Sequence, residues 1–253
     1  MRTDVQSFAV ANLLRRPAAQ EVGGFVVGFD PSTTSPHINY ATPVPGAEPT
    51  DRDVADLIAA FRERGLKPRL EFAPDAAPAV EPALRRAGFG AEAVHEYLVC
   101  TPDTLTVPGP GSAGPVEVAA PATDADYTAI DIALAEAFGG EWEPSPGSAA
   151  RLRRTEDSGG AVRFVRAPGG GCAGGALCSA PAEGTAELAG VGTLPAYRGR
   201  GIAAAVTSTL AATMFGRGAQ SVWLEYSGEG SRRVYERVGF RPGGTRLYVS
   251  LEG

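Results

Sequence analysis

The chain has 253 residues, 43% apolar and 21% charged, a globular composition with length enough for two compact halves. A formal charge of −6 argues against a nucleic-acid surface and leaves either neutral or cationic small partners or plain solubility as its meaning. No basic-then-apolar leader opens the sequence and no apolar run reaches the ~18 residues of a membrane span, so a soluble cytoplasmic protein is expected, monomer or homodimer, without membrane or nucleic-acid partners.

In chain order, "GGFVVGFDP" and "HINYATPV" predict two strands joined by a polar turn. A helix follows, with Thr50 as N-cap and Asp53 three residues on, an acidic relative of the capping box. Val54, Leu57, Ile58 and Phe61 repeat at helical spacing, and Gly65 stops the run. Strand "KPRLEF", a Pro/Ala-rich helix over Ala76–Ala87, a Gly-Phe stop and strand "VHEYLVC" complete this half. The stretch "TVPGPGSAGP" at 106–115 lacks periodicity and is dense in Pro and Gly. It reads as a linker dividing residues 1–105 from 116–253.

The second half opens with a helix over 125–138, capped by Thr123 or Asp124. A Gly/Pro-rich loop, "GGEWEPSPGS", leads to a short basic stretch, Arg151–Arg154, and then to strands at "AVRFVRA", "GCAGGALCSA" and "TAELAGVGT". A helix over Gly201–Phe215 spaces Ile202, Val206, Leu210 and Met214 four apart as its buried face, and Gly216 and Gly218 close it. Strand "SVWLEY", helix "SRRVYERV", a Gly-Phe stop and strand "TRLYVSL" end the chain.

The halves rhyme. "RGLKPRLEF…ALRRAGF" in the first matches "RGAQSVWLEY…VYERVGF" in the second, and both read strand, strand, helix, strand, helix, Gly-Phe, strand. Two copies of one α/β plan account for the length. Cys100, Cys172 and Cys178 are odd in number and lack ligand spacing, so neither a disulfide framework nor a metal site is expected. The two histidines, His37 and His95, both fall in the first half, which counts against a serine or cysteine hydrolase in the second.

One feature occurs only in the second copy: the turn "LPAYRGRGIA" at 194–203. A helix's first amides lack partners, and its dipole adds positive charge there. Gly199 and Gly201 let that backbone approach a ligand, and Arg198 and Arg200 add charge. The physics points to a pyrophosphate site. A Walker Gly-Lys-Ser/Thr is absent, and the dinucleotide pattern is met only with Ala204 in its third glycine place.

"VGTLPAYRGRGIA" resembles the acyl-CoA signature of the GNAT superfamily of N-acyltransferases, its Arg/Gln-x-x-Gly-x-Gly/Ala core matching Arg198, Gly201 and Ala203. "VYERVGF" resembles the family's tyrosine helix, and the likeness spans 116–253 in element order and the first half weakly. It implies an α/β fold of two GNAT-like halves, the first degenerate, each a mixed, mostly antiparallel sheet flanked by helices. A splayed, bulged strand is implied in the second half, where Gly190 and Gly192 suit a bulge. By the same resemblance Val191, Gly192 and Thr193 contact pantetheine, and Arg198, Gly199, Arg200, Gly201, Ile202, Ala203 and Ala204 cradle the pyrophosphate of acetyl-CoA, with no metal. The Thr193 amide is the implied oxyanion donor.

An amine nucleophile must shed a proton, which Glu187 or Glu225 could accept. By strict alternation Glu187 shares a face with Ala189, Val191 and Thr193, or else faces solvent at an edge. Tyr235 stands at the family's general-acid position, with a core tyrosine as the plain alternative. The asparagine that often opens the family's tyrosine helix is replaced by "GEGS". Glu141 and Trp142 suit a lip for a cationic small-molecule amine, and a packing cap equally. The expected activity is acetyl-CoA-dependent N-acetylation of a primary amine. The alternatives are a non-catalytic acyl-CoA-binding regulatory module and an aminoacyl-tRNA-dependent transferase, the latter disfavoured by the acidic balance.

Overall fold

The structure, a computed structural model, describes residues 4–107, 109 and 116–252. The expected linker at 106–115 therefore lies mostly outside the described residues. Two compact units form, one from Met1–Tyr97 with Gly243–Gly253 and one from Leu98–Pro242. The final strand thus joins the first unit, where a cut at the linker would have left it with the second.

The first unit begins with two elements that the sequence pattern does not announce. Helix α1 (Val5–Leu14) starts at the Asp4 cap, and strand β1 (Ala18–Val22) pairs antiparallel with β2 (Phe25–Phe29). β2 pairs antiparallel with β3 (Tyr40–Pro43), and the chain crosses through α2 (Asp51–Arg62) to β4 (Arg69–Phe72), parallel to β3. The capping box of α2 is present in full, Thr50 and Asp53 each bonding the other's backbone N–H. Val54, Leu57 and Phe61 of its stripe are buried beneath the sheet with Leu70 and Phe72.

The helix expected over Ala76–Ala87 is shorter, a 3-10 turn at Pro74–Ala76 followed by α3 (Val80–Arg86). Pro78 explains the break, because it lacks an N–H and keeps Ala77 before it out of helical backbone, at φ −147° and ψ 68°. β5 (Gly90–Cys100) follows; its last three residues belong to the second unit.

In the second unit, α4 (Asp124–Ala137) carries a Thr123–Asp126 capping box, and α5 (Pro146–Asp157) a Ser145–Ser148 one. The basic stretch Arg151–Arg154 lies on α5, a helix without a visible apolar stripe. β6 (Ala161–Arg166), β7 (Cys172–Cys178) and β8 (Thr185–Thr193) form an antiparallel meander. The chain then crosses through α6 (Ile202–Gly216) to β9 (Ser221–Glu225), parallel to β8, and on through α7 (Gly228–Val238) into β10 (Arg241–Ser250). Residues 247–250 of β10 pair antiparallel with β4, inside the first unit.

Val206, Leu210 and Met214 of α6 are fully buried against Ala186, Leu188, Val222 and Leu224. Each such side chain contributes about 1.5–3 kcal/mol. α4 and α5 cover the opposite face of the sheet through Ile130, Leu134 and Leu152 against Val162 and Phe164. Among the described residues no helix is long and apolar enough to cross a membrane.

Candidate active site

Strand β8 organises the site. Its pairing with β9 runs from Thr185↔Ser221 to Glu187↔Trp223, whereas β8 itself continues to Thr193. Beyond Glu187 the two strands part, the splay expected from the sequence. On the other edge, Gly175 faces Gly192 while Leu177 faces Ala189, so two steps along β7 answer three along β8. The extra residue is a bulge at Gly190–Val191, and Gly190 adopts a left-handed φ of 62°.

The bulge overturns one reading. Upstream of it, Leu188 lies opposite Cys178 in the cluster beneath α6, whereas Ala189 lies opposite Leu177 in the cluster beneath α4. Glu187 alternates with Leu188 and so lies on the α4 face with Ala189. Downstream, Val191 packs into the α6 cluster, and Thr193 lies opposite Gly174, whose missing Cβ would sit 2.9 Å from Ile202. Glu187 therefore does not share a face with Val191 and Thr193. The inserted residue reverses the alternation.

Gly174, which the sequence left unexplained, and Gly192 set the close approaches. A Cβ on Gly174 would lie 2.7 Å from the Gly192 carbonyl oxygen, so bare backbone at β7 lets β8 and the head of α6 draw in. A Cβ on Gly192 would meet Leu134 Cδ2 at 2.8 Å and Ala137 Cβ at 3.1 Å. Gly192 is thus required by α4 packing onto the strand. The run "GCAGGALC" carried the signal, since glycine inside strand text marks another chain coming near.

After Thr193 the chain makes a 3-10 turn at Pro195–Tyr197, passes Gly199 at φ 74° and enters α6 through Gly201, a left-handed N-cap at φ 82°. No side chain caps this helix, and the first intrahelical bond goes from the Ala205 amide to the Gly201 carbonyl. The amides of Ile202, Ala203 and Ala204 are thus at the disposal of an anion, with the helix dipole behind them. A Cβ on Gly199 would meet nothing within 4 Å, so open space stands above the turn. Arg198 donates Nε–H to the Thr193 carbonyl at 3.2 Å. Arg200 donates to the Ala196 carbonyl at 3.1 Å and lies over the Tyr197 ring at 5.2 Å. Each guanidinium thereby braces the turn with one donor and keeps others for a ligand.

These features fit the diphosphate and pantetheine of an acyl-CoA. Convergent uncapped amides suit the former, and a strand edge opened by splay suits the latter. Thr193 adds a buried hydroxyl without a hydrogen-bond partner at the junction of the two.

The other candidates occupy separate places. Val222 and Leu224 of β9 belong to the α6 cluster, so Trp223 and Glu225 face the other way, on the side where Glu187 lies beside Trp223. Both glutamates thus share one face across the splay. Tyr235 is 7% exposed on α7, its ring 6.2 Å from Phe240, and burial pushes its pKa up to about 12. Glu141 is exposed on the α4–α5 loop. Trp142 beside it is half-buried, its ring 5.8 Å from Phe138 and its indole N–H donated to Asp131 at 3.1 Å. A depression of about 480 Å³ lies beside this indole, with Ile132, Glu136 and Glu143 in its wall. Asp131 escaped the sequence reading because an acid at an apolar helix position looks like noise in a hydrophobic stripe.

Residues 128–240 match the acetyltransferase (GNAT) family model. The fold matches a GCN5-related N-acetyltransferase from Kribbella flavida at 23% identity and TM-score 0.79, over 98% of this chain and 96% of that one. It also matches a GCN5-related N-acetyltransferase from Sphaerobacter thermophilus at 16% identity and TM-score 0.60, over 90% and 76%. A tandem GNAT protein from the clavulanic acid biosynthesis pathway matches at 13% identity and TM-score 0.59, over 94% and 84%. The search of curated proteins returned no match.

Proposed function

Because residues 128–240 form a GNAT acetyltransferase domain, we propose that the chain moves an acetyl group from acetyl-CoA to a primary amine of a small molecule by direct attack. The observation that carries this reading is the uncapped, left-handed entry into α6 at Gly201, beside a strand that parts from its neighbour. Acetyl-CoA, when bound, supplies the acyl group as an activated thioester. Ile202, Ala203 and Ala204 offer their amides to its diphosphate, and Val191, Gly192 and Thr193 line the arm with the strand edge that lies beyond the β8–β9 pairing.

The acceptor amine lies against Glu141 and Trp142 in this reading. An ammonium must lose a proton before its nitrogen can bond to the acyl carbon. Glu187 or Glu225 takes that proton, directly or through water, from the face that they share. The carbon–sulfur bond then breaks, and the Tyr235 phenol gives the departing sulfur a proton. Burial pushes its pKa up to about 12, so the phenol holds its proton at neutral pH until the thiolate forms beside it. The first unit, which lacks the glycine-arginine turn, is in this reading a degenerate copy without a cradle of its own. Three buried free thiols accord with a reducing cytoplasm.

The test combines thermal shift with acetyl-CoA and thiol release over ethanolamine, putrescine, glucosamine and lysine. Stabilisation with thiol release supports the transferase. Stabilisation with no release across a wide panel indicates a binding module, and absence of both removes the reading.

A further inference from the structure

Asp131 sits midway along α4, 4% exposed, with no ion pair to it among the described residues. Three donors converge on its carboxylate. Oδ1 accepts the Trp142 indole N–H at 3.1 Å; Oδ2 accepts the Ser145 amide at 3.0 Å and the Ser148 hydroxyl at 2.5 Å. A buried carboxylate without a cation is tolerated only when hydrogen-bonded in this way, and an apolar side chain would pack the same place with less desolvation. What the acid adds is direction.

That direction is imposed on a segment that has neither helix nor strand of its own between α4 and α5. The chain leaves α4 through Gly139 and Gly140, both left-handed at φ 76° and 80°, and Glu141–Pro144 then runs to the α5 cap at Ser145. Asp131 grips this stretch at its indole and at its far end. On the same helix, Leu134 and Ala137 press against Gly192 of the bulged strand. One helix thus carries both the strand and the loop.

We infer that Asp131 is the positioning residue of the acceptor wall, holding Trp142 and the start of α5 so that the 139–145 loop is preformed at a set distance from β8. This rests on the transferase reading, in which the acceptor lies against Glu141 and Trp142. Asp131 itself touches neither acceptor nor acyl group. Its loss therefore loosens acceptor binding and leaves the α6 cradle intact.

The experiment uses the full chain and whichever of ethanolamine, putrescine, glucosamine or lysine turns over fastest. Asp131→Asn keeps one acceptor oxygen and loses the other; Trp142→Phe keeps a ring and loses the donor. For Asp131→Asn the amine KM rises about tenfold, while kcat and acetyl-CoA affinity stay within about twofold. Trp142→Phe gives about a threefold rise, and the double variant is no worse than Asp131→Asn alone, because the indole N–H acts only through its bond to Asp131. A lowered Tm with unchanged KM in both variants would make Asp131 a structural staple and overturn the inference alone. If the unaltered chain binds no acetyl-CoA and releases no thiol, the transferase reading and the inference fall together.

Discussion

Each unit contains the same crossover, in which a strand ends, turns and enters the helix that returns to a parallel neighbour. In the first, Pro43 leads to α2, and Thr50 with Asp53 closes the helix N-terminus by a reciprocal pair of hydrogen bonds. In the second, Thr193 leads to α6, and Gly201 closes nothing. One copy supplies its own anion to the helix dipole, and in the other no side chain caps the first amides. The strands that follow diverge likewise. Glu71 on β4 is gripped by Arg69 at 2.5 Å and by Arg246 at 3.6 Å, all three nearly buried. Its counterpart Glu225 on β9 lies half-exposed on the face of Glu187. A plan used twice thus differs between its copies at the helix cap, a closed pair of hydrogen bonds in one and a bare glycine in the other.

The sharpest way to break this contrast is to neutralise the paired glutamates. Glu71→Gln removes the carboxylate that the buried guanidinium groups of Arg69 and Arg246 share, Arg69 keeping only the Glu92 carboxylate at 2.8 Å, and is expected to cost about 3 kcal/mol in urea unfolding, with turnover of the folded fraction retained. Glu225→Gln should leave unfolding unchanged and lower kcat about a hundredfold if it is the base. A rate loss from the first or a stability loss from the second would mean that the copies have not divided their labour.

Next in size, Ala204→Asp places a carboxylate at the third helical position of α6, where the first crossover has Asp53, and leaves the left-handed Gly201 unaltered. That carboxylate should occupy the α6 amides and weaken acetyl-CoA binding about a hundredfold by calorimetry, roughly 2.7 kcal/mol. Tyr235→Phe should lower kcat about tenfold to a hundredfold. In the unaltered enzyme the pH–rate profile should show no alkaline fall from this phenol until pH nears its pKa of about 12. Its contribution to stability is fully present below the ordinary phenol range and is lost as pH rises through about 12, because the folded value is the higher one.

The smallest effect is at the closed cap. Thr50→Ala should cost about 1 kcal/mol and leave acetyl-CoA affinity alone. The hydroxyl and amide of Thr50 hold the Asp53 carboxyl below its usual range, so the cap's stabilisation is present above that range and lost on acidification. Amide exchange at the start of α2, followed against pH, should report this, while the start of α6, without an acid of its own, should not change.

The sequence was most legible where apolar spacing and caps agree. Val54, Leu57 and Phe61 announced α2, and Ile202 through Met214 announced α6. The glycines of "ELAGVGT" announced the bulge. It was opaque where polar groups do the holding. α5 buries Ala149 and Leu152 on an otherwise polar surface and is anchored through Ser145, Ser148 and Asp131, so no stripe marks it. α1 is apolar around most of its circumference and shows no period. The reversal of alternation at Gly190 is hidden because one inserted residue alters geometry without altering composition.

The return of β10 to pair with β4 has a consequence in time. Leu247 and Tyr248 lie opposite Phe72 and Glu71, so β4 receives this neighbour only after about 180 further residues are translated, roughly 10–35 s at ordinary ribosome speeds. Until then that border of the nascent sheet has bare amides and carbonyls, the kind of edge that invites pairing with another chain. Slow translation of the second half should therefore favour misassembly of the first, and a chaperone acting on the nascent chain would be needed most during that interval.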